Sequence, residues 1–249
     1  MNLSGHPAAQ LGLLDGTGAE DNAWRVRPSP RARRLAVRVL PGGVVEIVVP
    51  RGTRPRTVEQ FVQRHRRWIE RTVDLYRPAD AQLAAAIPTQ IAFAATGRNY
   101  PVLFDDRDGP PQLRLLRDRL ELSGPSGRPA LLRHALQRFV MREAHSALSP
   151  WLLKLSAASG LGYERIQIRR QRTRWGSCSR TGTISLNACL LFQPADVVNY
   201  LLIHELAHTR HMNHSRRFWK LVESLEPRWR ELDAALTRGW RQVPAWAIG

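Results

Sequence analysis

The chain has 249 residues, with 38 Lys+Arg against 21 Asp+Glu, a formal net charge of +17; Lys154 and Lys220 are its only lysines. A hydrophobic share of 43% and a charged share of 24% exclude wholesale disorder and leave ample material for a core. Two cysteines, Cys178 and Cys189, exclude a disulfide framework and favour a reducing compartment, and no apolar run approaches the roughly 20 residues of a membrane span.

The N-terminal 23 residues are Gly/Ala-rich without period or basic n-region, so they read as a mobile tail and not a signal peptide. A cytoplasmic protein is the expectation. From Trp24 the pattern changes. Leu35–Val39 and Val44–Val49 flank Pro41-Gly42-Gly43 and predict a β-hairpin. Val58, Phe61, Val62, His65, Trp68, Ile69, Val73 and Tyr76 recur at helical spacing between Thr57, an N-cap candidate, and Pro78, a stop.

Short β-like stretches fill residues 88–123, broken at Gly109-Pro110-Pro111. Ser123–Pro129 reads as a linker, followed by a helix over residues 130–158 interrupted near Pro150. The expected organisation is a tail (1–23), a β-rich region with one helix (24–125) and a mostly helical region (126–249), an α+β chain.

Further on, Arg172–Ser179 reads as a polar and aromatic turn in which Trp175 is a packing residue. Thr183–Leu190 alternates strictly, with Ile184, Leu186, Ala188 and Leu190 on one face, and predicts a half-buried strand. Its edge is a candidate for accepting an extended peptide.

The chemistry is concentrated in residues 197–219. His204-Glu205-Leu206-Ala207-His208 is an HExxH pattern, which on a helix puts two imidazoles one turn apart and a carboxylate beside them. Val198, Leu202 and Leu206 form an apolar line nearly opposite both histidines. Pro194 and Asp196 suit the start of that helix. A catalytic zinc takes three protein ligands and keeps a position open. His214, six residues after His208, has the spacing of the HExxHxxGxxH type, with His211 in the glycine's place. Asn213, which tolerates a left-handed backbone, is the candidate helix terminator. His211, on the same helical face, and the carboxylates Glu223 and Glu226, on a helix beginning near Ser215, stay open as rival third ligands. Arg174, Asn187 and Tyr200 are the candidates for substrate or oxyanion contact.

RTRWGSCS, TISLNACLL and YLLIHELAHTRHMNHSRRFW together resemble the YgjP-like metal-dependent hydrolases, a zincin-group family related to SprT-like and WLM metallopeptidases. RRLAVRVLPGGVVEIVVP, FVQRHRRWIERT and Gly97–Tyr100 extend the resemblance to about residues 25–236. The resemblance implies a zincin-like catalytic half, Zn²⁺ on His204, His208 and His214, Glu205 as general base, and a peptide substrate. The alternatives are a metal-dependent nucleoside-triphosphate pyrophosphatase, or a DNA-associated binding module with a structural metal. Non-specific nucleic-acid contact through the basic surface is a separate expectation from charge alone.

Overall fold

A computed structural model describes residues 24–40, 43–76 and 87–248. The expected tail (1–23), Pro41-Gly42 of the hairpin turn and the helix stop at Pro78 lie outside the described residues. The chain divides into two compact units, residues 1–79 and 80–249.

In the first unit, strands β1 (Trp24–Ser29), β2 (Ala36–Val39) and β3 (Val45–Pro50) form a sheet ordered β1-β3-β2. The predicted hairpin is the antiparallel β2–β3 pair, Val39 opposite Val45. β1 joins β3 in parallel, Trp24 opposite Val45. Helix α1 (Pro55–Tyr76) buries Val58, Val62, Ile69 and Val73 against Val39, Val45 and Ile47, whereas Trp68, expected on the same face, lies about 100° round the helix from Ile69 and is exposed. Each fully buried aliphatic side chain is worth about 1.5–3 kcal/mol, and this cluster anchors the helix to its sheet. The helix starts two residues before the expected cap at Thr57: Pro55, with φ preset and no N–H to lose, takes its first position.

The second unit opens with β4 (Gln90–Phe93), β5 (Arg98–Asp106), β6 (Gln112–Leu116) and β7 (Arg119–Gly124), ordered β4-β5-β7-β6. A break at residue 125 was expected, yet these strands belong with the helices that follow. Phe93 and Tyr100 pack on Phe139 of helix α2 (Pro129–Ser159), with centroids 5.9 and 5.3 Å away. The Tyr100 hydroxyl donates to Glu143 on the same helix at 3.1 Å. Helix α2 also runs through Pro150 without the expected interruption. Leu148 and Leu152, on either side of it, are both wholly buried, and this packing offsets the hydrogen bond that an interior proline removes. The helix ends at Gly160, whose φ of 67° is the left-handed conformation of a helix C-terminus.

A second sheet holds β8 (Arg165–Arg169), β9 (Gly176–Cys178) and β10 (Thr183–Asn187) in the order β8-β10-β9. The alternating segment is shorter than expected. The Asn187 side chain accepts from the Cys189 N–H at 3.1 Å and turns the chain into a 3-10 helix over Ala188–Phe192. β10 is also the central strand, parallel to β8 and antiparallel to β9, so its edges are occupied and it cannot receive a peptide. The edge strands are β8 and β9, and β9 lies within the segment read as a turn. Helices α3 (Ala195–Arg210), α4 (Arg216–Leu225) and α5 (Trp229–Arg238) complete the unit, and α4 begins where Ser215 suggested. The α+β class is as expected. No helix among the described residues is long and apolar enough to cross a membrane.

Candidate metal centre

Helix α3 begins after Pro194, and Asp196 accepts the Val197 N–H at 2.9 Å in its first turn. Val198, Leu202 and Leu206 are wholly buried along one side, which fixes the opposite side. From there His204 and His208, one turn apart, present rings 4.9 Å from each other. The helix ends at His211, in extended backbone (φ −132°, ψ 99°), and not at Asn213. The turn carries His214 back over the helix, its ring 5.1 Å from His204 and 4.7 Å from His208. His214 Nε2 lies 3.1 Å from His204 Nε2. Nitrogens from all three histidines fall within 4.8 Å of one another.

The other ring nitrogens of His204 and His208 are already engaged. His204 Nδ1 lies 3.3 Å from the Tyr200 hydroxyl, which donates to Asp233 Oδ1 at 2.8 Å. With the hydroxyl proton committed to Asp233, His204 Nδ1–H is the donor in this chain. His208 Nδ1 lies 3.1 Å from the His211 carbonyl, which can only accept. Both bonds place the proton on Nδ1 and leave Nε2 with its lone pair, the tautomer a metal requires. Phe218 stacks on His208 at 4.5 Å, Trp219 on His214 at 5.5 Å, and Trp229 on Trp219 at 4.2 Å. Burial, and then the neighbouring His208 and His214, push the His204 imidazolium down to about 3, so the ring is neutral at physiological pH. Three convergent imidazoles, two held from behind, are a donor set that fits a divalent metal.

Glu205 points to the β9 side and is only 4% exposed. Burial raises its carboxyl to about 8, against the pull of the Arg174 charge. Its Oε2 has no hydrogen-bond partner among the described residues. A buried, unpartnered carboxylate oxygen beside three imidazoles fits a role towards a bound water or substrate.

The remaining candidates separate. Arg174 is exposed at the loop before β9, close enough for its charge to act on Glu205. Tyr200 is wholly buried behind His204 and orients that ring instead of meeting substrate. Asn187 is wholly buried too: its Nδ2 donates to the carbonyls of Gln171 (2.6 Å) and Arg174 (2.8 Å). It clamps the loop that carries Arg174 and has no group left for substrate. His211 is outside the cluster, contributing only its carbonyl. Glu223 pairs with Arg230 at 2.9 Å, and Glu226 accepts from the Arg228 N–H at 3.1 Å, so neither is a third ligand. Trp175 packs as expected, stacked on Trp240 at 4.1 Å with its N–H on the Leu236 carbonyl. Burial pushes the Cys178 thiol up to about 11 and the Cys189 thiol up to about 12, which leaves both unreactive at neutral pH.

Four contributors escaped the sequence reading. Gly176, quoted only as part of a turn, lies against the Glu205 carboxylate. Asp233, on α5, has no local pattern to betray it. Phe218 and Trp219 are the aromatic pair just after His214, and their stacking on the histidines is a tertiary fact.

The family model described as the YgjP-like metallopeptidase domain matches residues 33–239. Among solved structures, the metallopeptidase zymogen abylysin of Pyrococcus abyssi is 30% identical over 34% of this chain and 87% of its own, with a TM-score of 0.32. The zymogen jannalysin of Methanocaldococcus jannaschii is 18% identical over 34% of this chain and 88% of its own, with a TM-score of 0.31. No curated protein matches.

Proposed function

The chain belongs to the YgjP-like metallopeptidase family, and from that premise we propose that it is a zinc-dependent peptidase with Glu205 as its general base. The observation that carries the proposal is the convergence of His204, His208 and His214 beside the buried Glu205 carboxylate. An all-imidazole set suits zinc, with His204, His208 and His214 as its ligands. When bound, the ion supplies Lewis acidity to water and to a scissile carbonyl.

The chain's own residues supply the proton handling. Glu205 accepts the proton of the attacking water at Oε2 and delivers it to the leaving amine. For this the carboxyl must be ionised at neutral pH, and Arg174 pulls it that way; a nearby dication adds to the pull. Arg174, exposed in the loop before β9, is the residue we assign to a developing oxyanion. The free edge of β9, over Gly176–Cys178, is where an extended peptide would add as a strand, with its scissile bond over Glu205. The free thiols of Cys178 and Cys189 suit a reducing compartment, and we place the protein in the cytoplasm.

The test is hydrolysis of an unfolded protein substrate by metal-loaded wild type and Glu205→Gln, with nucleoside triphosphates assayed in parallel. Loss of peptide-bond cleavage at unchanged metal content supports the proposal. Full proteolysis by Glu205→Gln sinks it, and Glu205-dependent release of pyrophosphate alone replaces it with a nucleotide hydrolase.

A further inference from the structure

The charge is not spread evenly. Residues 24–76 carry 13 arginines against Glu46, Glu59, Glu70 and Asp74, a formal +9 in 53 residues; residues 80–249 carry 24 basic against 14 acidic residues, +10 in 170. A general preference for arginine over lysine would not concentrate charge in the smaller unit.

Within that unit α1 sorts its charges by side. Taking about 100° per residue, the core side is set by Val58, Val62, Ile69 and Val73. On the outer side Arg64, Arg67, Arg71 and Trp68 fall within about 100° of one another, and all four are exposed. Glu59 and Glu70 fall on the other flank, where Arg66 pairs with Glu70 at 2.8 Å, and Asp74 borders the stripe about 20° from Arg67. The result is a basic stripe with an indole along its edge. Trp68 is 47% exposed and is the only large apolar side chain exposed among the described residues of this unit.

We propose that this outer face of α1 binds single-stranded nucleic acid, with Arg64, Arg67 and Arg71 on the phosphates and Trp68 stacked on a base. Arginines along a track and one available ring are the two elements of sequence-tolerant single-strand binding. An anionic membrane fits less well, because interfacial binding needs an apolar helix face and that of α1 is already packed on its own sheet. A duplex offers phosphates but keeps its base faces stacked, and gives Trp68 nothing to cover. The inference is independent of the peptidase reading.

The test uses the full chain and a fluorescein-labelled oligothymidylate 15-mer, with anisotropy followed from about 50 to 300 mM NaCl. The expected result is salt-dependent binding that Arg67→Glu/Arg71→Glu weakens more than tenfold, with a log–log salt slope shallower by about 1.4 for two lost phosphate contacts. Trp68→Ala is expected to weaken binding roughly tenfold at unchanged slope. Arg117→Glu/Arg138→Glu, an equal change of net charge in the other unit, is expected to change it less than threefold. Circular dichroism checks the fold, and Arg67→Gln/Arg71→Gln gives the same ranking with a smaller loss if charge reversal unfolds the helix. Equal weakening by both charge-reversal pairs, equal affinity for a 15-base-pair duplex, or binding to phosphatidylserine vesicles without binding to the oligonucleotide would each overturn the proposal.

Discussion

Gly176 and the Glu205 carboxylate are packed so closely that a Cβ on residue 176 would come within 2.5 Å of Oε1 and 2.9 Å of Cδ. The glycine is not needed for its φ, since residue 176 is not among those with left-handed backbone. Its hydrogen is what leaves room for the buried carboxylate. Gly176→Ala is therefore expected to displace the Glu205 side chain while sparing the histidines. Displacement of a catalytic group by about 1 Å can cost on the order of 100-fold. The expected outcome is a fall of about that size in kcat with metal content unchanged. Wild-type kcat in that variant would mean that the carboxylate position does not matter.

The chain His204–Tyr200–Asp233 makes a prediction about metal affinity. Losing the Tyr200 hydroxyl removes the acceptor for His204 Nδ1–H, and Asp233→Asn removes the charge that polarises the hydroxyl. Changes to such outer groups typically cost 10–100-fold in affinity. Tyr200→Phe and Asp233→Asn are each expected to fall in that range in competition with a chelator, and the double variant to lose little more than Tyr200→Phe. Additive losses would show that the two act separately.

Legibility followed the length scale of each interaction. The HExxH helix and its apolar line were readable because helical period and burial are properties of neighbouring residues; Val198, Leu202 and Leu206 are wholly buried as their spacing required. The return of His214 was foreshadowed by spacing alone, while the device that achieves it, extended backbone at His211, was not. Strand order was illegible: nothing in Thr183–Asn187 says that both its edges are taken, and the edge strand Gly176–Cys178 is too short to show alternation. The roles of Asn187 and Tyr200 were misread for a related reason. A polar side chain on a strand or helix looks the same in sequence whether it faces a cleft or a carbonyl behind it.

Glu205 sets a pH dependence for the metal-free protein. Its carboxyl is raised in the fold from the ordinary 4.5 to about 8 by burial. Between those values the unfolded chain has lost the proton that the folded chain keeps. Stability from this group is fully present below about pH 4.5 and is lost as pH rises through about 8. The thermal midpoint of metal-free wild type is expected to drop across that window relative to Glu205→Gln, which has no proton to lose there. Parallel curves for the two proteins would mean that Glu205 is ionised in the fold throughout.

Asn187 offers the sharpest contrast between a substrate contact and a clamp. Its side chain satisfies the carbonyls of Gln171 and Arg174 and the N–H of Cys189, and its own N–H donates to the Trp175 carbonyl at 2.8 Å. Asn187→Ala would leave three backbone groups short of a partner, each costing about 1–3 kcal/mol where water cannot replace it. A net loss of about 3 kcal/mol corresponds to a fall of roughly 6–12 °C in Tm for a chain near this size. Asn187→Asp keeps an acceptor for Cys189 but sets an oxygen against two carbonyls, so it is expected to be at least as destabilising as alanine. Differential scanning calorimetry of the two variants checks this. A substrate contact would behave in the opposite way, raising KM while leaving Tm in place, and that outcome would return Asn187 to the cleft.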